Sequence, residues 1–503
     1  MPSKEALPPA TLAAVYDELK ALLGERATTE PFHRLAYSRD WSPRPATEDH
    51  LPQIVVIPHT TDEVAAIVRL AYAHGIPVTP FAGGTGMGGG CIPLHGGILV
   101  DTKGLQQILE LDQDNLTVTT QTGITIHKLN EELAKHGLWF PHQPESKRAS
   151  TVGAAIGCDN DSTFGIRYGK ILEVLSNLVV VTGTGEVLRV GWRKASVSST
   201  GYKLLPLFVG SEGTLGIVTE ATLRVYALPA GREVRGYVCR SLADGLAATE
   251  RLLNAGLAID SAHLNCRARL HFYTHTYRQQ HGHEPDVPAW AEAVLFVSFA
   301  GDQDVVQFSL AKAQAVLVGE YHAEEIKERE IVDSWWASKH LVEFIPFKQK
   351  WPDSQRQKKF GAADLGLPFG RIEEAYHRFL DIAARWEQDV LGMTVYNESP
   401  NKVSPSISFA VFVDDTTPES AAKFHGYLRE MSTMAVEMEG TMSSYIGDGD
   451  RLVGLNALEH GPSLAYMRRL KAMFDPQGIM NPGKKFLPIG DCRLAIADWR
   501  LAS

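Results

Sequence analysis

Paired cysteines, basic tracts and long apolar runs are all missing from this chain, and each absence removes a class of function. The five cysteines, Cys91, Cys158, Cys239, Cys266 and Cys492, are odd in number, scattered and never spaced C-x-x-C, so neither a disulfide framework nor a zinc site is suggested. No continuous basic tract occurs and the formal net charge is −10. Nucleic acid and anionic membrane surfaces both demand clustered cations, so neither is the expected main partner. The longest apolar stretch, Ala293 to Gly301, falls well short of the ~20 residues that span a bilayer. The first residues carry Lys4, Glu5, Asp17 and Glu18 in place of the apolar core of a secretory signal. The expectation is a cytoplasmic protein acting on a small molecule. What is present is a globular composition, 44% hydrophobic and 21% charged over 503 residues, which excludes disorder as the main state and allows roughly two to four domains.

Pattern changes divide the chain. From Ile54 to Phe81 it reads strand, helix, strand: IVVI is β-branched, Thr61, Asp62 and Glu63 open a helix, Val64, Ile67, Val68 and Ala71 recur at helical spacing, and Gly75 offers a stop. Strands are predicted at Gly96 to Thr102 and Leu116 to Gly123, a helix ends on Gly137, and SNLVVVTGTGEVLRV reads as a hairpin turning near Gly183 and Gly185. Residues 50–228 thus form one α+β unit. After Gly231, helices such as LADGLAATERLLNAG alternate with strands such as AVLFVSFAG and SISFAVFV, which predicts a second α+β domain acting as a cap.

The segment PFAGGTGMGGG, Pro80 to Gly90, follows a predicted strand. So many glycines let bare backbone N–H groups close around a phosphate or pyrophosphate, which side chains would obstruct. Its G-x-G-x-x-G spacing is a weak signal alone, and a structural glycine turn accounts for it equally well. A second glycine-rich stretch, GSEGTLGIVT from Gly210 to Thr219, also meets a strand, and between the two lies PHQPESKRASTVGAAIGCDNDSTFGIRYG, rich in small residues. Together they suggest one extended ligand lying across two layers.

These stretches in this order, with DPQGIMNPGKKF at Asp475 to Phe486, resemble the FAD-binding fold of the vanillyl-alcohol oxidase and para-cresol methylhydroxylase (PCMH) superfamily. Within it the resemblance is to the branch of D-lactate dehydrogenase, D-2-hydroxyglutarate dehydrogenase and the glycolate oxidase flavoprotein subunit. It implies a PCMH-type two-subdomain FAD-binding domain from residues 1–228 (core about 50–228), an α+β cap at 229–435 and a C-terminal segment, 436–503, returning to the FAD domain. Carried over by position, the first loop holds pyrophosphate with Pro80, Ala82, Gly83, Gly84, Thr85, Gly86 and Met87. The flavin is lined by Pro144, Glu145, Ser146, Thr151, Gly153, Cys158 and Asp161. Glu212, Gly213, Gly216, Ile217 and Val218 reach the adenosine half, and Asn481 is expected near the isoalloxazine ring. The first loop lacks the histidine that attaches FAD covalently in some members, so non-covalent FAD is expected, with a Cys158 thioether as the rarer alternative.

The resemblance fails where chemistry is expected. Metal-dependent members carry His-x-Gly-Asp-Gly-Asn-x-His and a later Glu-His-Gly, whereas this chain has YNESPNKVSPSISF, Tyr396 to Phe409, and then GTMSSYIGDGD, with Tyr445-Ile446 in the Glu-His slot. Asn397, Glu398 and Asn401 make a poor transition-metal set, so no metal is expected. Tyr445 is the candidate base or hydrogen-bond partner. Lys339, three residues after Trp336, is the candidate for the substrate carboxylate, without the bidentate fork of arginine. His340 is a candidate proton acceptor. His271 and His275 share a helical face but lack the metalloprotease Glu, and the cluster Lys348, Lys350, Arg356, Lys358 and Lys359 reads as solvated surface. The implied activity is hydride transfer from a D-2-hydroxy acid or related alcohol to flavin N5. Alternatives are a phenol or benzylic alcohol oxidase, an alkylglycerone-phosphate-synthase-like non-redox flavoenzyme and a flavoprotein electron-transfer subunit. The electron acceptor, whether oxygen, a quinone or a protein, stays open, as does a homodimeric assembly.

Overall fold

The computed structural model describes residues 9–45, 47–192, 194–195, 198–338, 348–350, 357–397 and 405–486. Its first layer is a four-stranded sheet in the order Ala27–Thr28, Ile54–Val56, Ile98–Asp101, Val78–Phe81, the last three strands parallel. Parallel neighbours need a crossover, which the helix Thr61–His74 supplies. Thr60 caps its start by accepting from the Glu63 N–H at 3.1 Å, and Gly75 ends it at φ +63°. The cap contributes about 1 kcal/mol, and the helix buries Val64, Ala65, Ile67, Val68 and Ala71 against the sheet.

The second layer is a five-stranded antiparallel sheet, Ile108–Asp112, Thr117–Gln121, Gly216–Arg224, Leu175–Thr182, Val187–Gly191 in spatial order. The segment after Asp475 comes back to this part of the molecule. Ile479 and Met480 enter the core of the first sheet, and Asn481 N–H donates to the Val78 carbonyl at 2.8 Å.

An antiparallel eight-stranded sheet forms the third layer, running from Glu324–Glu325 at one edge to Lys348–Lys350 at the other. Side chains alternate along its strands. In Ala293–Gly301, Leu295 and Val297 pack into the core under the helices Leu242–Leu253, Ile372–Arg385 and Pro418–Glu437, while Val294 and Phe296 join Trp335 on the opposite face. One face is thus sealed by helices, and the other turns toward the first two layers. Lys359 departs from the solvated surface expected for it. It is fully buried and donates to the Ser42 carbonyl at 2.9 Å, because its strand pairs in the sheet interior and a buried ammonium must find an acceptor. Arg356 lies outside the described residues.

Candidate active site

A cavity of about 620 Å³ lies between the open face of the eight-stranded sheet and the two N-terminal layers. Its first wall is the glycine loop. Thr102 Oγ1 and Lys103 Nζ donate to the Phe81 and Ala82 carbonyls, each at 3.0 Å, and Trp41 N–H donates to the Gly86 carbonyl at 2.9 Å. These bonds hold the turn open, with Gly84 at φ +66°. A Cβ placed on Gly86 would meet nothing within 4 Å, so the loop presents bare backbone to empty space. That is the fit a pyrophosphate requires.

The second wall is the segment from Pro144 to Thr163. Thr151 caps the helix Val152–Cys158 by accepting from Ala154 N–H, and Asp159 ends it at φ +47°. The third is the loop at Ser211 to Val218. Glu212 is buried, and its carboxylate accepts from the N–H groups of Asp448 and Gly449, each at 2.8 Å, with Lys485 at 3.3 Å. The structure therefore brings Pro80, Ala82, Gly84, Thr85, Gly86, Met87, Pro144, Glu145, Ser146, Gly153, Cys158, Asp161, Glu212, Gly213, Gly216, Ile217 and Val218 onto one cavity.

Three expected positions stand behind the wall. Gly83 lies against the Ala149 carbonyl, where a Cβ would come within 2.2 Å, and Thr151 is spent as a cap. Asn481 is buried, and its amide donates to the carbonyls of Gly90 at 2.8 Å and Glu212 at 2.7 Å. It ties two of the walls together.

Cys91 and Cys158 both line the cavity. Burial pushes the Cys158 thiol up to about 12 and that of Cys91 well above its ordinary value, so both are protonated near neutrality. Burial also pushes the Asp161 carboxyl up, against the pull of Lys170 at 3.5 Å. Lys170 also pairs with Asp159 at 3.2 Å and donates to the Ser444 carbonyl at 2.8 Å. It joins this wall to the turn that carries Tyr445.

That turn is held by one carboxylate. Fully buried Asp364 accepts from Ser443 Oγ at 2.7 Å and from the N–H groups of Ser444, Tyr445 and Ile446 at 3.1, 2.9 and 2.8 Å, and pairs with Arg451. Tyr445 lines the cavity, edge-on to Tyr396 with ring centroids 6.0 Å apart. Burial drives its phenol well above 10, with Tyr396 and Asp364 adding to the rise. The phenol is therefore protonated at neutral pH.

Lys339, His340, Glu398 and Asn401 lie outside the described residues. Asn397 is buried and donates to the Ala262 carbonyl at 2.9 Å. Among the described residues no group of three or more His, Cys, Asp or Glu is arranged to hold a metal ion. Among the described residues the cation that reaches the cavity is Arg269, a position that was not singled out in the sequence. His271 is exposed and absent from the cavity wall. Arg269 is buried, its Nε donates to Thr394 Oγ1 at 3.0 Å, and among the described residues no carboxylate lies within ion-pair distance of it. Burial opposes its charge, but Tyr273, Tyr396 and Glu145 outweigh that and hold its pKa above the ordinary value. Its spacing to the cavity aromatics, three, four and eight residues before Phe272, Tyr273 and Tyr277, was the available signal.

Two family descriptions match the chain, "FAD binding domain" over residues 52–191 and "FAD linked oxidases, C-terminal domain" over residues 228–485. The chain belongs to the FAD-linked oxidases. FAD is the cofactor of this oxidoreductase, and the bare loop described above suits its pyrophosphate. The FAD-linked oxidase is 27% identical to a probable mitochondrial D-lactate dehydrogenase of Danio rerio, across 86% of this chain and 84% of that one. It is likewise 27% identical to glycolate oxidase subunit GlcD of Bacillus subtilis, across 90% and 92%. Its fold is that of p-cresol methylhydroxylase, with a TM-score of 0.75 at 16% identity over 95% of this chain and 98% of the other, which makes the α+β architecture PCMH-type. Among the described residues no helix is long and apolar enough to cross a membrane.

Proposed function

We propose that this FAD-linked oxidase converts a D-2-hydroxy acid to the 2-oxo acid without a metal ion, acting through FAD held non-covalently. The observation that carries the reading is Arg269, a buried guanidinium lacking a carboxylate partner among the described residues and sharing one cavity with the flavin-lining segment and Tyr445. Its surroundings keep it charged, and a planar carboxylate matches its fork. The relatives named for D-lactate and glycolate support the same substrate class.

Bound FAD supplies the hydride acceptor. Arg269 holds the substrate carboxylate and so fixes C2 within the cavity. The Tyr445 phenol, protonated at neutral pH, donates to the C2 oxygen as carbonyl character develops there. The hydroxyl proton passes to Asp161, whose carboxyl burial has shifted upward, the direction a general base needs. Asp364 acts through the turn it holds and is a positioning residue.

Tyr445→Phe is expected to lower kcat by about 10- to 100-fold with little change in KM, since the bond it removes forms mainly in the transition state. Equal turnover would take Tyr445 out of the chemistry. The test of the whole reading is anaerobic flavin reduction by a D-2-hydroxy acid deuterated at C2, run with and without EDTA. A primary isotope effect that the chelator leaves unchanged is expected, and loss of reduction with EDTA, restored by zinc or manganese, would overturn the metal-free mechanism.

A further inference from the structure

The helix Arg267–His281 sets Arg269, Phe272, Tyr273 and Tyr277 on the cavity wall at i, i+3, i+4 and i+8. That spacing keeps all four on one helical face. Beyond the guanidinium the wall is aromatic and aliphatic. Phe272 and Phe360 pack with Leu391 and Phe412 from the open face of the eight-stranded sheet, and the Arg269 guanidinium lies 6.0 Å from the Phe360 ring centre. On the other side Trp335 is stacked on Phe296, centroids 4.3 Å apart at 8°.

The tyrosines add ring surface more than polarity. Tyr273 donates its hydroxyl to Asn265 Oδ1 at 3.3 Å and Tyr277 to Glu330 Oε2 at 3.0 Å. A methyl group or a hydrogen, the substituents of lactate and glycolate, would make little contact with this surface. An aryl ring would bury against it at little entropic cost, because the walls are already packed.

We infer that the substituent on the substrate's C2 is a bulky aryl-bearing group such as benzyl, its ring seated among Phe272, Tyr273, Phe360 and Trp335 with the carboxylate on Arg269. The inference deepens the hydroxy-acid reading and rests on it for the reacting carbon, but the subsite itself is testable without turnover. In calorimetric titrations of the FAD-loaded protein, 3-phenylpropanoate is expected to bind about 100-fold tighter than propanoate, the discrimination a well-fitted apolar pocket supplies. Phe272→Ala should cut that ratio about tenfold, and Arg269→Met should weaken both ligands.

Equal affinity for the two acids, or a ratio untouched by Phe272→Ala, would overturn the inference. In turnover, a preference for D-3-phenyllactate over D-lactate supports it. D-Lactate as the better substrate defeats the aryl subsite and leaves the hydroxy-acid reading intact. Tight aryl-carboxylate binding with no flavin reduction by any 2-hydroxy acid defeats the hydroxy-acid reading and leaves the aryl-carboxylate subsite standing. Displacement of 3-phenylpropanoate by a soluble quinone that binds more tightly, and whose affinity Phe272→Ala abolishes, would assign the surface to an electron acceptor and overturn the inference.

Discussion

Gly84→Val is expected to give a folded, colourless protein. Gly84 sits at φ +66° in the loop that faces the cavity, a left-handed conformation that costs an L-residue roughly 1–2 kcal/mol and suits a β-branched residue worst. To escape it the turn must move, and moving it closes the bare backbone that receives the pyrophosphate. Because the loop is tied at Phe81, Ala82 and Gly86 by bonds to Thr102, Lys103 and Trp41, the damage should stay local. Loss of the yellow band with thermal unfolding of the apoprotein lowered by no more than a few degrees is the expected pair of results. Full FAD content after the substitution would show that the loop does not hold the cofactor.

Arg269→Met is expected to lower kcat/KM for hydroxy acids by about 100- to 1,000-fold. Removing one member of a buried, hydrogen-bonded charge pair costs 2–5 kcal/mol, and 1.4 kcal/mol is tenfold in affinity. The effect on stability should be far smaller. Among the described residues the guanidinium makes one hydrogen bond, to Thr394, in surroundings that favour its charge, so Arg269→Met should lower the melting temperature by only a few degrees. Arg269→Lys separates charge from shape, restoring part of the affinity while losing the fork. If Arg269→Met leaves kcat/KM within twofold, the carboxylate is held elsewhere and the observation that carries the proposed function is lost.

Local signals made the framework legible. The helix Thr61–His74 has its cap, apolar stripe and glycine stop within one short stretch, and the glycine loop declares itself by composition. The strands Ala293–Gly301 and Ser406–Val413 read as continuous apolar runs because both faces of their sheet are covered. The settings of the buried cations were not legible, since they are assembled from far apart in the chain. Arg269 meets Thr394 across 125 positions and Lys359 meets Ser42 across 317, and no spacing rule reaches so far. Asn481 was singled out through its motif, but its role depends on carbonyls of two other loops, 391 and 269 positions away. Asp364, which sets the Tyr445 turn, lay in a strand with nothing nearby to mark it.

The most direct test of the central claim is an anaerobic titration of the FAD-loaded protein with a D-2-hydroxy acid, followed in the visible spectrum with the 2-oxo acid quantified. Bleaching of the oxidised-flavin band with one 2-oxo acid formed per flavin is the result expected. A flavin band that no D-2-hydroxy acid bleaches would contradict the claim that this FAD-linked oxidase takes hydride from such a substrate.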